Sequence, residues 1–241
     1  MRSYVCFLWR TGFREYLPEH VNALAHAVQH FDPDPHRFIC ITDDKGEFSP
    51  AVEIFAMPPA AKALGKLQAP QGKGFPASYR RLWCFSPEAK VLGDRIMLLD
   101  IDAMVLSDLR PLWETEGDFV GWRPQSIWGK EDRIGGGTWL HTPGTITKLW
   151  DDFIANPQKM IDDTRAIGWN GSDQAIMSRF LVPKYPVWPR KSGIYSHQDG
   201  VMKWDLPPKA SRIVHWNGSE KYWAVNKLYA KAYFDHFKQL P

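Results

Sequence analysis

The sequence predicts an α/β fold built on a mostly parallel sheet flanked by helices. Two observations carry the prediction. Residues 4–9 (YVCFLW), 38–41 and 96–99 are short, almost wholly apolar runs, the pattern of strands buried on both faces. Between such runs lie stretches whose apolar residues recur at helical spacing. At 241 residues and 27.7 kDa the chain fits one domain, 1–241, and no repeat, low-complexity tract or composition shift divides it.

Each element follows from local chemistry. The first strand, 4–9, leaves through a Thr11-Gly12 turn into a helix from about Pro18. Val21, Leu24, Ala25 and Val28 share one face of that helix, and Asp32-Pro33-Asp34-Pro35 stops it. A second strand spans 38–41 and a shorter third one 52–55. Residues 57–76, rich in Pro, Gly, Ala and Lys, read as a mobile loop. Ser78 then caps a helix carrying Tyr79, Leu82, Trp83 and Phe85. The strand 96–99 runs directly into Asp100-Ile101-Asp102. Beyond it the pattern predicts a strand at 119–122, a turn at Gly135-Gly136-Gly137 and a helix over 144–156 with Ile146, Leu149, Trp150 and Phe153 inward. A further helix opens at Ser172, a strand covers 213–215, and 222–237 is helical.

Composition narrows the function. Lys plus Arg total 30 against 27 Asp plus Glu, a net charge of +3, which argues against a dedicated nucleic-acid binder. No apolar run reaches membrane-spanning length, so at most peripheral membrane contact is expected. The opening run reads as a strand rather than a leader, so the mature chain is expected to begin at Met1. Cys6, Cys40 and Cys84 form no CxxC and cannot all pair, which points to a reduced, cytoplasmic protein. Most of the 12 Trp must be core; Trp122, Trp128, Trp169 and Trp188 each weigh towards packing rather than a sugar platform.

Asp100-Ile101-Asp102 carries the clearest chemistry. In an extended strand the two carboxylates share a face about 7 Å apart. Like charges at the end of a buried strand call for a cation, and hard oxygen ligands suit Mn²⁺ or Mg²⁺. The competing reading is a solvated strand end. A phosphohydrolase-type nucleophilic Asp is disfavoured, because that pattern wants Thr or Val where the chain has Met104. Near the carboxyl terminus, His215 closes a short apolar strand and can offer an imidazole. Gly218 lets backbone approach a phosphate, and Lys221 adds a point charge. Alone, this segment reads as a surface turn; with the two Asp it makes a coherent metal and phosphate set. Asp173 and Gln174 open a helix behind Ser172, where simple capping competes with a role in holding sugar hydroxyls near a developing positive charge. Arg80 and Arg81 bind phosphate or are solvated.

Together these motifs resemble the GT-A glycosyltransferases, most closely the family 8 type of glycogenin-like and bacterial lipopolysaccharide galactosyltransferase-like proteins. The resemblance rests on Tyr79-Arg80-Arg81-Leu82, the apolar strand ending in Asp100-Ile101-Asp102, Ser172-Asp173-Gln174, and the spacing His215…Gly218…Lys221…Trp223, in that order. It implies a single GT-A domain with a Rossmann-like mixed sheet. It further implies that Asp100, Asp102 and His215 hold Mn²⁺ (or Mg²⁺) on a nucleotide-diphosphate sugar, a UDP-sugar foremost. By the same resemblance Gly218 and Lys221 contact the diphosphate, and Arg80 and Arg81 steady the donor. Gly136 approaches the sugar, Asp173 and Gln174 line its anomeric carbon as catalytic residues, and Trp9 and Thr11 hold the base. The acceptor would be a glycan or glycolipid, and the transfer retaining. The chain departs from the pattern at Arg10-Thr11-Gly12-Phe13, where an acidic or Asn residue is usual, and at Gly135-Gly136-Gly137, where Asn-Ala-Gly is usual. A sugar nucleotidyltransferase and a non-catalytic nucleotide-sugar or glycan-binding module are the alternatives on the same fold.

Overall fold

The computed structural model describes residues 1–10, 16–67, 78–124, 131–197, 207–216, 221–225 and 227–240. The chain opens with β1 (Arg2–Leu8), α1 (Pro18–Phe31), β2 (Arg37–Thr42), β3 (Glu53–Ala56) and α2 (Pro59–Leu64). Two 3₁₀ helices, Ser78–Phe85 and Pro87–Leu92, lead into β4 (Arg95–Leu99), β5 (Ala103–Val105), the short α3 (Arg110–Trp113) and β6 (Phe119–Trp122). There follow β7 (Gly135–His141), α4 (Thr147–Ala155), α5 (Pro157–Ala166), α6 (Asp173–Leu181), β8 (Ile194–Ser196), β9 (Ile213–His215) and α7 (Leu228–Phe237).

The main sheet has the order β3-β2-β1-β4-β7-β6. The first four strands are parallel, and β7 and β6 extend the sheet with antiparallel pairings. A small second sheet, β5-β9-β8, stands beside it. Strand side chains alternate between two apolar layers. Tyr4, Cys6 and Leu8 enter one layer with α1, α3, α7 and the small sheet. Val5 and Phe7 enter the other with both 3₁₀ helices, α2, α4, α5 and α6. Burial on both faces is what the unbroken apolar runs encode. Cys6 and Cys40 lie opposite one another in the β1–β2 register, buried and unpaired, as is Cys84. Among the described residues no helix is long and apolar enough to cross a membrane.

Strand order matters for function. From β1 the chain steps outward to β2 and β3, then returns to place β4 on the other side of β1. The carboxyl ends of β1 and β4 therefore flank the crevice where ligands bind in open α/β sheets. Reversal of β7 brings its first residues to the same rim, where Asp100 donates its N–H to the Gly137 carbonyl at 2.8 Å. The end of β6 arrives there too, with Trp122 opposite Gly135.

The structure corrects several local expectations. Gly135-Gly136-Gly137 is not a turn but the buried start of β7. A Cβ on Gly135 would lie 2.6 Å from the Trp122 ring, so glycine serves close packing there rather than a bend. Residues 59–64 of the expected loop form α2, opened by Pro59 and anchored by buried Ala61 and Leu64; positions 68–76 lie outside the described residues. The Ser78 helix is 3₁₀, and its first hydroxyl donates to Asp173 instead of capping. The last helix begins at Leu228 rather than 222. Neither α5 nor β8 was expected; the polar α5 buries only Ile161 and Thr164, and β8 is three residues long.

Two polar devices fix the first layer. Asp32, buried at the end of α1, accepts from Arg2 at 2.8 Å and from the Tyr4 hydroxyl at 2.5 Å. At the start of α1, Leu17 N–H donates to Nδ1 of His20 at 2.8 Å, and His20 N–H donates to the Leu17 carbonyl at 3.0 Å. His20 does the work of a capping-box Gln, stacked at 4.0 Å on Trp223. Burial, reinforced by Arg10 and Lys238, holds its pKa down at about 4, while Glu19 stands 3.8 Å from Nε2.

Two outcomes are expected. Asp32→Ala leaves the buried Tyr4 hydroxyl without its acceptor and Arg2 with Asp34 alone, and should lower unfolding free energy by about 1–3 kcal/mol, read from the urea midpoint. For His20, the unfolded chain takes up a proton near 6.5 that the folded chain refuses until about 4. This group's contribution therefore makes stability fall as pH drops through that window and leaves it unaffected above it. His20→Gln keeps an acceptor without a titration, so the fall in urea midpoint between pH 7 and 5 should shrink in the variant.

Candidate active site at the carboxyl rim of the sheet

The site grows from the end of β4. Asp100 closes the strand, and Ile101-Asp102 form a turn, with Ala103 N–H donating to the Asp100 carbonyl at 3.0 Å. The two carboxylates are thus not alternate residues of one strand, as expected from the sequence, but the two sides of a tight turn between sheets. Asp102 is tied to the carboxyl-terminal segment through its carbonyl, which accepts from Trp216 N–H at 2.9 Å. Ala103 pairs with His215 in the β5–β9 register. Residues more than a hundred positions apart are brought to one point.

Two buried cations meet the two carboxylates. Arg81, projecting from the first 3₁₀ helix, donates to Asp100, to Asp173 at 2.6 and 2.9 Å, and to the Gly136 carbonyl at 3.1 Å. Lys221, equally buried, donates to Asp102 and to the Trp216 carbonyl at 2.8 Å. The Tyr16 hydroxyl donates to the same Asp102 oxygen at 2.9 Å. Burial still pushes the Asp100 carboxyl up to about 6; Arg81 opposes the shift, and neighbouring Asp102 and Asp173 add to it. The cluster retains appetite for positive charge.

His215 completes it. Its Nε2 contacts the Thr138 hydroxyl at 2.7 Å, and its ring stacks on Trp122 at 4.5 Å. Nδ1 is buried without a hydrogen-bond partner. The place a Cβ would occupy on Gly137 lies 2.9 Å from that nitrogen and 3.2 Å from Oδ2 of Asp100, so both atoms face one small cradle that glycine leaves open. Burial holds the imidazole pKa down at about 4, so His215 is neutral at physiological pH and carries a lone pair for coordination. Two carboxylates and a neutral imidazole suit a hard divalent cation in donor chemistry. Among the described residues no three His, Cys, Asp or Glu side chains stand as a ready-made metal cluster, and Asp100 and Asp102 are paired with Arg81 and Lys221.

The remaining sequence candidates fall around this point. Asp173 and Gln174 open α6, with Ser172 as the cap accepting from Ala175 N–H at 3.3 Å. Asp173 is buried between Ser78, at 2.6 Å, and Arg81. Gln174 Oε1 accepts from Gly136 N–H at 3.3 Å. Trp9 and Arg80 meet one another. The Arg80 guanidinium lies 5.1 Å over the Trp9 ring. Both line a cleft of about 250 Å³ with Leu8, Asp43, Met57 and Lys62, at the carboxyl ends of β1, β2 and β3. Thr11 and Gly218 lie outside the described residues, as does Trp128. Sequence reasoning missed Tyr16 and Thr138, which no local motif marks. It read Ser78 as a cap rather than a partner for Asp173, and Trp122 as packing without its imidazole.

No protein-family model matches the chain, and no curated protein matches it in sequence. The fold is that of the GT-A glycosyltransferases. The chain is similar in structure to the galactosyltransferase LgtC, solved with donor and acceptor sugar analogues, with a TM-score of 0.66 at 15% identity over 100% of this chain and 98% of that one. It is similar to the glycosyltransferase GlyE of Streptococcus pneumoniae TIGR4, with a TM-score of 0.62 at 16% identity over 100% of this chain and 62% of that one. The bifunctional glycosyltransferase WbbM gives 0.64 at 13% identity over 99% of this chain and 50% of that one.

The cradle itself can be tested. Gly137→Ala drives a methyl against His215 and Asp100 and should cost about 1–3 kcal/mol, the usual range for overpacking. Gly136→Ala meets only Arg81 at 3.2 Å and Gln174 at 3.4 Å and should cost less. Urea midpoints of the two variants give the comparison.

Proposed function

We propose that the protein is a metal-dependent glycosyltransferase that moves a hexose from a nucleoside-diphosphate sugar, a UDP-sugar foremost, to a glycan or glycolipid acceptor. One observation carries the reading. Asp100, Asp102, His215 and Lys221 meet at the rim beside β1 and β4, in a fold shared with a galactosyltransferase solved with donor and acceptor analogues. Mn²⁺ (or Mg²⁺) held by Asp100, Asp102 and His215 would supply charge neutralisation for the departing diphosphate.

The chain's own residues do the rest. Trp9 and Arg80 offer the base a flat face and a cation beside the cleft, with the carboxylates of Asp43 and Asp44 as acceptors for base N–H groups. Thr11 and Gly218 belong to this reading as base and diphosphate contacts. Lys221 steadies the diphosphate as a point charge. Gly136 leaves room for the sugar ring against Gln174, whose Oε1 is engaged by backbone and whose amide nitrogen serves a sugar hydroxyl. Asp173 is clamped by Arg81 and Ser78, and a carboxylate so neutralised is a weak nucleophile. That favours retention by front-face displacement, with the leaving phosphate drawing the proton from the acceptor hydroxyl, over a covalent glycosyl-enzyme on Asp173. Three buried free thiols fit a reducing compartment, the cytoplasm.

The test is a thermal-shift panel of nucleoside diphosphates and their sugars with Mn²⁺, followed by donor hydrolysis. The expected result is stabilisation by one base family and Mn²⁺-dependent hydrolysis. Asp102→Asn should lose the stabilisation and cut hydrolysis by about 10²-fold or more. Stabilisation without turnover would assign a binding module instead.

A further inference from the structure

We propose that Lys221 is an exchangeable counter-ion. It neutralises Asp102 in the donor-free chain, keeps a lone divalent cation off that carboxylate, and crosses to the diphosphate only when metal and nucleotide arrive together. The inference rests on the donor and metal reading above and adds a coupling to it.

The two buried cations of the site are held in different ways. Arg81 is locked: its planar fork meets Asp100, Asp173 and the Gly136 carbonyl at once, so releasing any one partner leaves the rest in place. Lys221 carries a compact ammonium on a flexible four-carbon stem, and among the described residues two acceptors hold it, Asp102 Oδ2 and the Trp216 carbonyl. Its ammonium also lies 5.4 Å over the Tyr16 ring. The carboxylates differ correspondingly. Asp100 gives Oδ1 to Arg81 while Oδ2 faces the cradle beside the unpartnered His215 nitrogen. Asp102 gives one oxygen to both Lys221 and Tyr16. Both carboxylates thus carry a cation on one oxygen, but the cation on Asp100 is fixed by further partners and the one on Asp102 sits on a flexible stem.

A dication approaching Asp102, by either oxygen, must bind beside the ammonium held on Oδ2 or drive it off. Displacement without an anion leaves the ammonium buried and unpaired, which is costly. A diphosphate arriving with the dication removes that cost by offering the ammonium new oxygen partners. Metal and nucleotide then favour one another through Lys221, and by linkage each raises the affinity of the other by the same factor.

The experiment measures Mn²⁺ binding to the intact chain without nucleotide, by electron paramagnetic resonance of free Mn²⁺ and by thermal shift. Lys221→Met removes the competing charge. The expected result is a variant less stable than wild type without metal, which binds Mn²⁺ alone about tenfold tighter or more. Its affinity for UDP in the presence of Mn²⁺ should fall. Lys221→Gln, which keeps a donor for the Trp216 carbonyl, gives the same comparison should the Met variant fail to fold. Equal Mn²⁺ affinity in wild type and variants would overturn the exchange while leaving the donor reading standing. Mn²⁺ binding to the wild type as tight without UDP as with it would also overturn it. A wild type that binds no nucleoside diphosphate with Mn²⁺ would instead overturn the donor reading, and this proposal with it.

Discussion

Two carboxylates on one tight turn, facing the interior edge of a sheet, cannot both stay ionised without positive charge close by. That constraint organises the site. Asp100 takes Arg81 from a helix earlier in the chain, and Asp102 takes Lys221 from beyond β9. Two unit charges 4 Å apart attract by about 4 kcal/mol at the effective dielectric of a protein edge, roughly what desolvating them costs, so such pairs add little net stability. Losing one partner is different, because the survivor is left charged and buried. The pairs therefore act less as glue than as constraints, fixing the 3₁₀ helix and the carboxyl-terminal segment against the end of β4.

The sheet makes that convergence possible. A fully parallel sheet would bring only strand ends to the rim, and strand ends carry side chains. Reversal of β7 brings a strand start there instead, and three glycines make it thin. Gly135 admits the Trp122 ring, Gly136 lies beneath Arg81 and Gln174, and Gly137 leaves open the space between His215 and Asp100. His215 is steered from two sides, by the Thr138 hydroxyl one residue along β7 and by the Trp122 ring at the end of β6. Backbone thinness on one strand and aromatic bulk on its neighbour together set the imidazole's place.

Legibility in the sequence followed burial. β1, β2 and β4 could be read because both their faces are covered, and α1 because one stripe of it is; each writes a periodic signal into consecutive residues. The 3₁₀ helices have no such period, and α2 buries only Ala61 and Leu64, too little to stand out from a Pro- and Ala-rich stretch. Gly135-Gly136-Gly137 misled because the same residue that permits a turn also permits close approach. The Asp-Ile-Asp, Asp-Gln and His…Lys motifs were visible as chemistry, and the fold brings their described members together. What they touch was not visible. Tyr16 reaches Asp102 across 86 positions and Thr138 reaches His215 across 77, and neither partner bears a local mark. Pairings over such separations are written in the topology, which short windows do not contain.

The tryptophans illustrate how structure sorts a compositional excess. Trp83, Trp113, Trp122, Trp139, Trp150, Trp188 and Trp216 are buried, which accounts for most of the aromatic surplus as core. Trp223 spends a face on His20. Among the described residues this leaves Trp9 and Trp169 half-buried, and each has an arginine over its ring, Arg80 at 5.1 Å and Arg133 at 4.9 Å. An arginine so placed orients the ring and makes its surroundings electropositive. The two sites differ in position. Trp169 sits in the segment before α6, three residues ahead of the Ser172 cap. Trp9 leaves β1 at the switch point, beside a cleft whose rim carries Lys62 as well as Arg80. In the reading proposed above, a ring with cations and the carboxylates of Asp43 and Asp44 around it suits a flat base bearing N–H groups better than it suits a neutral sugar.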